Sequence, residues 1–218
     1  MYCTACGNEV RPDGSCTSCG TSPQLSGSVR QALKALLDNA TIVVKPGNYG
    51  GRHCYLLFDR VDTQIGTVTA DSDAFVLFRW YRGLVRFHVK ILDAAGREAF
   101  SMRRRKILRQ RIEVVGDTGH LFGTIVRKGG FSRGLKVVDG AAKHVGTLKN
   151  KSRFAEFEFI GADEQEKALV LVEWRGMGGF RKATSSIHFA PNLEDGPLKS
   201  LIVASVICVD ILFGSGGS

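Results

Sequence analysis

The sequence predicts a mainly β protein: a closed antiparallel barrel of about twelve strands around a buried, apolar C-terminal helix. Three observations carry this expectation. The segment PLKSLIVASVICVDILF at 197–213 is apolar on every side from Leu201 to Val209. A helix with no polar face must be enclosed on all sides. The segment is also shorter than the ~20 apolar residues a bilayer span requires, and Asp210 would lie in the hydrocarbon. From residue 41 onward the apolar period is two, in short segments enriched in β-branched and aromatic residues. They recur at roughly ten-residue spacing, the interval of sandwiches and barrels.

Taken in order, residues 1–20 form a cysteine module. Residues 21–40 hold a Ser/Pro/Gly linker and a short amphipathic helix at 28–38. Ser28 suits the N-cap, Val29, Leu33, Leu36 and Leu37 share one face, and Asn39 suits the end. The polar face carries Arg30, Lys34 and Asp38, too little charge for a membrane anchor, so packing on the main domain is expected. Residues 41–213 form the barrel, with the core helix at 198–213. Strands are expected near 41–45, 54–59, 64–70, 74–81, 85–92, 97–104, 110–116, 121–127, 133–138, 144–149, 153–160, 167–174 and 183–189. Turn signals separate them, among them Pro46-Gly47-Asn48, Asp93 to Gly96, Gly116-Asp117, Asp139-Gly140 and Gly161 to Asp163. An apolar-Gly-Thr-apolar echo recurs at Ile65–Val68, Phe122–Ile125 and Val145–Leu148. It points to one hairpin unit used repeatedly, whose Gly permits a bend or close approach. The tail 214–218, GSGGS, reads as a flexible end.

Cys3-x-x-Cys6 and Cys16-x-x-Cys19, each followed by Gly, present four thiolates for a tetrahedral ion. Zn²⁺ suits that donor set and spacing; two disulfides or an iron–sulfur site are the alternatives. A closed four-thiolate site is structural rather than catalytic, and a module this short depends on its metal to fold. Cys54 and Cys208 sit in apolar surroundings and read as buried free thiols. Met1 is followed by a polar stretch rather than an apolar run. That points to a cytoplasmic, reducing environment.

The net charge is +9. The stretch from Arg79 to Arg111 holds eleven Lys/Arg and two acids, while the remainder holds 19 of each sign. A local positive field suits an anionic partner, lipid headgroups or nucleic acid, and equally a solvated face that keeps the protein soluble. Arg103, Arg104, Arg105, Lys106, Arg109 and Arg111 cluster around one expected hairpin tip and are the candidate headgroup contacts. Trp80 and Tyr81 are placed to reach the headgroup level.

Two stretches resemble known families. Pro197 to Ser200 through Val209-Asp210-Ile211-Leu212-Phe213 is similar to the terminal helix of phospholipid scramblases, and Val172-Glu173-Trp174-Arg175-Gly176 resembles one of their strands. Phe100 to Leu108, followed by Arg111-Ile112-Glu113-Val114-Val115, resembles the LURP-one-related proteins. The resemblance covers about 41–213. It implies the tubby-like fold, twelve strands around a C-terminal helix, and binding of anionic phospholipid, with phospholipid scrambling as the associated activity. It does not extend to Ca²⁺, because 178–184 is basic where the scramblases are acidic.

An enzyme is not expected. His53, His88, His120, His144 and His188 fall in separate elements without metal-ligand spacing or a nucleophile motif. The expected function is a non-catalytic, scramblase-like module at an anionic membrane surface, cytoplasmic and peripheral at its inner face. A protein partner would meet the zinc ribbon. The alternative is a zinc-ribbon adaptor for protein or nucleic acid. Nucleic acid is disfavoured because no recognition helix or stacking motif is visible.

Overall fold

The computed structural model describes residues 27–49, 52–70, 87–104, 111–116, 119–127, 134–152, 155–175, 182–193 and 196–213. Helix α1 (Gly27–Leu37) is followed by twelve strands: β1 (Thr41–Tyr49), β2 (Arg52–Phe58), β3 (Gln64–Ala70), β4 (Phe87–Asp93), β5 (Glu98–Arg104), β6 (Arg111–Val115), β7 (Leu121–Arg127), β8 (Leu135–Asp139), β9 (His144–Ser152), β10 (Glu156–Gly161), β11 (Glu166–Arg175) and β12 (Lys182–Phe189). Helix α2 (Pro197–Phe213) ends the fold. Each strand pairs antiparallel with its chain neighbours, and β1 pairs β12 to close the barrel. Closure gives every strand a neighbour on both sides.

The expected segments at 41–45, 54–59, 64–70, 85–92, 97–104, 110–116, 121–127, 133–138, 144–149, 153–160, 167–174 and 183–189 all correspond to strands. The segment 74–81, with Trp80 and Tyr81, lies outside the described residues, as do the cysteine module and the tail. The ring closes without 74–81, because β3 pairs β4 directly from Gly66↔Asp93 to Ala70↔Val89.

One turn expectation is corrected. Pro46-Gly47-Asn48 lies inside β1. β1 pairs β12 only over Thr41 to Val44, whereas its ladder with β2 runs on to Tyr49. Beyond Val44 one side of β1 therefore makes no ladder bonds, and a strand tolerates Pro where no ladder N–H is needed.

The core follows from the two periods. Along β4 burial alternates from Phe87 to Asp93, placing Phe87, Val89, Ile91 and Asp93 on the inner wall. Residues 201–209 of α2 are all buried. Leu201, Ile202, Val203, Val206, Ile207 and Val209 each expose 7 % or less. Two hydroxyls of this helix bond within its own stretch of chain, Ser200 Oγ donating to the Gly196 carbonyl at 3.5 Å. Ser205 Oγ donates to the Leu201 carbonyl at 2.7 Å. The apolar face of α1 (Ala32, Leu33, Leu36, Leu37) is buried in the same cluster, packed against β3, β4 and β5. Asn39 Nδ2 donates to the Leu36 carbonyl at 3.2 Å and so ends α1.

One end of the barrel is built from a single repeated turn. Five hairpins (β2–β3, β4–β5, β6–β7, β8–β9, β10–β11) share it. In each, the first residue's N–H donates to the carbonyl four residues on, as from Asp93 to Arg97 at 2.9 Å. The fourth residue has positive φ: Asp62, Gly96, Gly119, Ala142 and Glu164. A register shift accompanies every one. This is the type I turn with a bulge that three-residue hairpin loops favour. Asp59, Asp93 and Asp139 begin three of them, and each Oδ1 accepts two backbone N–H groups of its own turn.

The bulges explain the Gly-Thr echo. A Cβ on Gly66 would run into the Leu92 carbonyl and stand 3.0 Å from Leu36 of α1. A Cβ on Gly123 would run into the Val138 carbonyl and stand 3.0 Å from Leu201 of α2. Leu92 and Val138 are the residues at which the neighbouring hairpins shift register. Glycine is required where one hairpin's bulge presses on the next strand and a helix packs close by.

Two substitutions test this arrangement. Val203→Asp introduces a charge into a dry core, so no cooperative thermal transition is expected; a melt at the wild-type temperature would exclude the enclosed helix. Gly123→Ala should cost about 2 kcal/mol in urea unfolding through overpacking. An unchanged midpoint would show that the bulge yields freely.

Candidate functional site

The repeated turns, α1 and the start of α2 share one pole of the barrel, here the turn pole. The joins 50–51, 71–86, 105–110, 128–134, 153–155 and 176–181 connect strands at the opposite, far pole. This follows from the meander alone. Charge divides the same way. The turn pole collects Asp59, Asp62, Asp93, Asp139, Asp163 and Glu164, opposed by Arg60, Arg97, Lys143 and Lys167. In sequence, the six far-pole joins carry ten Lys/Arg against Asp71 and Asp73. The linear reading found part of this excess in 79–111. The topology assigns its remainder to other joins.

The six candidate headgroup residues are not equivalent. Arg105, Lys106 and Arg109 lie outside the described residues. Arg111 opens β6 and is exposed. Arg103 and Arg104 alternate across β5, so one points out and the other in. Arg103 stands opposite Glu113 and its Nε donates to the Glu113 carboxylate at 2.8 Å. Arg104 stands opposite Phe87 and is 2 % exposed. Its grouping with surface cations is therefore corrected: it belongs to the inner wall. Desolvation there lowers its pKa below the ordinary guanidinium value.

Two exposed cations that the linear reading did not group, Lys136 and Lys149, lie on the outer wall beyond Arg111. Arg111 stands opposite Val126, Val126 opposite Lys136, and Lys136 opposite Thr147. Lys149 is the next outward residue along β9. Only strand register brings these together, and no linear motif marks them.

The turn pole holds an ionic clasp around a buried carboxylate. Asp93 is 3 % exposed. Its Oδ1 accepts the Ala95 and Arg97 amides, and its Oδ2 accepts Arg97 Nε and Nη2 at 2.8 and 2.7 Å. Arg97 Nη1 reaches Gln31 of α1 at 3.1 Å. Burial pushes the Asp93 carboxyl up, but the Arg97 bonds and charge outweigh it and hold the pKa below the usual carboxylate value. Nearby, Lys199 of α2 is buried, donates to the Leu37 carbonyl at 2.9 Å and lies 5.1 Å over the Phe189 ring.

Two of the histidines bond to neighbouring threonines, His144 to Thr147 at 3.2 Å and His188 to Thr41 at 3.3 Å. Among the described residues no group of three or more His, Cys, Asp or Glu is placed to hold a metal ion. None of the described helices is long and apolar enough to cross a membrane. Cys208 is buried, which pushes its thiol pKa up.

Against known proteins, no family model and no curated protein matches this chain. The fold is similar to the X-ray structure of the Arabidopsis thaliana protein AT5G01750, at 17% identity and a TM-score of 0.52. The match covers 82% of this chain and 94% of that one. At that identity the likeness speaks to fold. It supports a tubby-like barrel: twelve antiparallel strands closed around a C-terminal helix.

The clasp gives a signed pH prediction. A carboxyl with a lowered folded-state pKa contributes stability that is present above its unfolded pKa and lost as pH falls through the folded value. Asp93→Ala should cost about 2 kcal/mol at neutral pH, because it removes the buried acceptor of the Ala95 and Arg97 amides and the partner of Arg97. Urea midpoints from neutral pH down through the carboxylate range should fall less steeply for the variant than for wild type. Parallel curves would assign the acid sensitivity to other groups.

Proposed function

We propose that this chain is a non-catalytic, scramblase-like module that binds anionic phospholipid at a membrane surface. What supports this reading is the sequence read on the strand order: the joins between the far-pole strand ends carry ten Lys/Arg against two acids. Clusters of four to eight Lys/Arg attract anionic lipid at about 1 kcal/mol each near the surface. Arg103, Arg105, Lys106, Arg109 and Arg111 remain the candidate contacts, Arg103 sharing its charge with Glu113. Arg104 leaves the set because it is buried. In this reading the protein is peripheral, at the cytoplasmic face, and phospholipid scrambling is an activity to assay once binding is established.

Cys3, Cys6, Cys16 and Cys19 would hold a structural Zn²⁺. Four thiolates in two CxxC pairs fit that ion by donor softness and number. Such a ribbon supplies a folded surface for a protein partner and takes no part in chemistry at the membrane.

Co-sedimentation with vesicles tests the reading. The protein should pellet with phosphatidylserine-containing vesicles and stay in solution with phosphatidylcholine alone. Changing Arg105, Lys106, Arg109 and Arg111 to Ser should weaken binding about tenfold or more, and added salt should weaken it further. Folded protein that pellets with neither vesicle would remove the lipid reading and leave the zinc-ribbon adaptor.

A further inference from the structure

We infer that the barrel meets an anionic membrane in one orientation, by the β6–β9 side of its far pole, through Arg111, Lys136 and Lys149. The turn pole and α1 then face away from the membrane. This rests on the lipid-surface reading above and adds the contact face and its direction.

The outer wall differs from strand to strand. Arg111, Lys136 and Lys149 are exposed and form no ion pair among the described residues. The cations beside them are neutralised: Arg103 pairs with Glu113, and Lys151 lies 3.5 Å from Glu156 and 3.9 Å from Glu158. On β10 and β11 the outer wall carries Glu156, Glu158 and Glu173. Among the described outer-wall side chains, unpaired cations therefore gather on β6–β9 while β10 and β11 carry carboxylates, so an anionic plane would turn the β6–β9 side toward itself.

The spacing fits a surface better than a single small ligand. Arg111 and Lys136 stand two strands apart, roughly 10 Å at the usual strand separation. They also stand on a convex wall. Cations so placed do not converge on one phosphate, but each can meet a separate headgroup. The turn pole adds to the torque. In the reverse orientation its hairpin carboxylates, Asp59, Asp139 and Glu164, would lie within the screening length of the same plane and be repelled by it.

Two charge-reversed pairs test the orientation: Lys136→Glu with Lys149→Glu, and Arg60→Glu with Lys143→Glu at the turn pole. All four side chains are exposed, and each pair lowers the net charge from +9 to +5. With phosphatidylserine-containing vesicles, the first pair should bind about tenfold or more weakly than wild type. The second should bind as wild type does. A milder pair, Lys136→Gln with Lys149→Gln, should fall between and guards against a folding defect in the first. Equal losses for both reversed pairs would overturn the orientation and leave the lipid reading standing. Wild-type protein that ignores vesicles but binds single-stranded RNA would overturn both.

Discussion

The constraint on which the rest depends is the enclosure of α2. A helix apolar around its whole circumference has no face to give to water, so the chain must surround it. Twelve strands closed by the β1–β12 ladder do this. The requirement then propagates. Inner-wall positions must be apolar and tightly fitted, which produces the alternation along β4 and the glycines at 66 and 123. At the turn pole the end of the core is covered by α1. Lys199 ties that cover to α2 by donating to the last residue of α1 at 2.9 Å. A buried ammonium is costly unless it finds an acceptor, and the free carbonyls at the end of α1 supply one at the negative end of its dipole.

The same meander separates two kinds of work. Alternate connections in an up-and-down barrel fall at opposite ends. At one end all five hairpins are the same short turn, stapled by their own backbone and, in three cases, by an aspartate. Carboxylates accumulate there because the turn's amides need acceptors. The connections at the other end vary in length and, in sequence, carry ten Lys/Arg. The charge asymmetry is thus partly a consequence of turn chemistry. Aspartates are drawn to one pole by their hydrogen bonds, while in sequence the far-pole joins hold only two acids, Asp71 and Asp73.

Much of the fold was legible because two periodic signals do not overlap. The all-round apolarity of Leu201 to Val209 excludes a surface helix, and the period-two segments exclude a helical bundle. What was not legible depends on register. Adjacent Arg103 and Arg104 look alike in sequence, yet one faces Glu113 and the other the core. A linear reading groups them because it sees proximity along the chain and not the side of the wall. Pro46-Gly47 reads as a turn by composition, but the early end of the β1–β12 ladder makes it acceptable within a strand. Lys136 and Lys149 were passed over for the converse reason: they are far apart in sequence and become neighbours only across β8 and β9.

Position on the barrel wall also decides what a positive charge is able to do. Arg104, desolvated on the inner wall, cannot move to a headgroup without opening the core, so its contribution is to structure. Arg103 must give up Glu113 before it can meet an external anion, which reduces the net gain. Arg111, Lys136 and Lys149 face neither cost, since they are hydrated, exposed and unpaired among the described residues. The net charge of +9 therefore overstates the attraction at some places and understates its directionality at others. An anionic surface responds to the free cations and their arrangement. Among the described residues Arg111, Lys136 and Lys149 lie together on one side of the far pole, whereas Arg60 and Lys143 at the turn pole stand among the hairpin carboxylates.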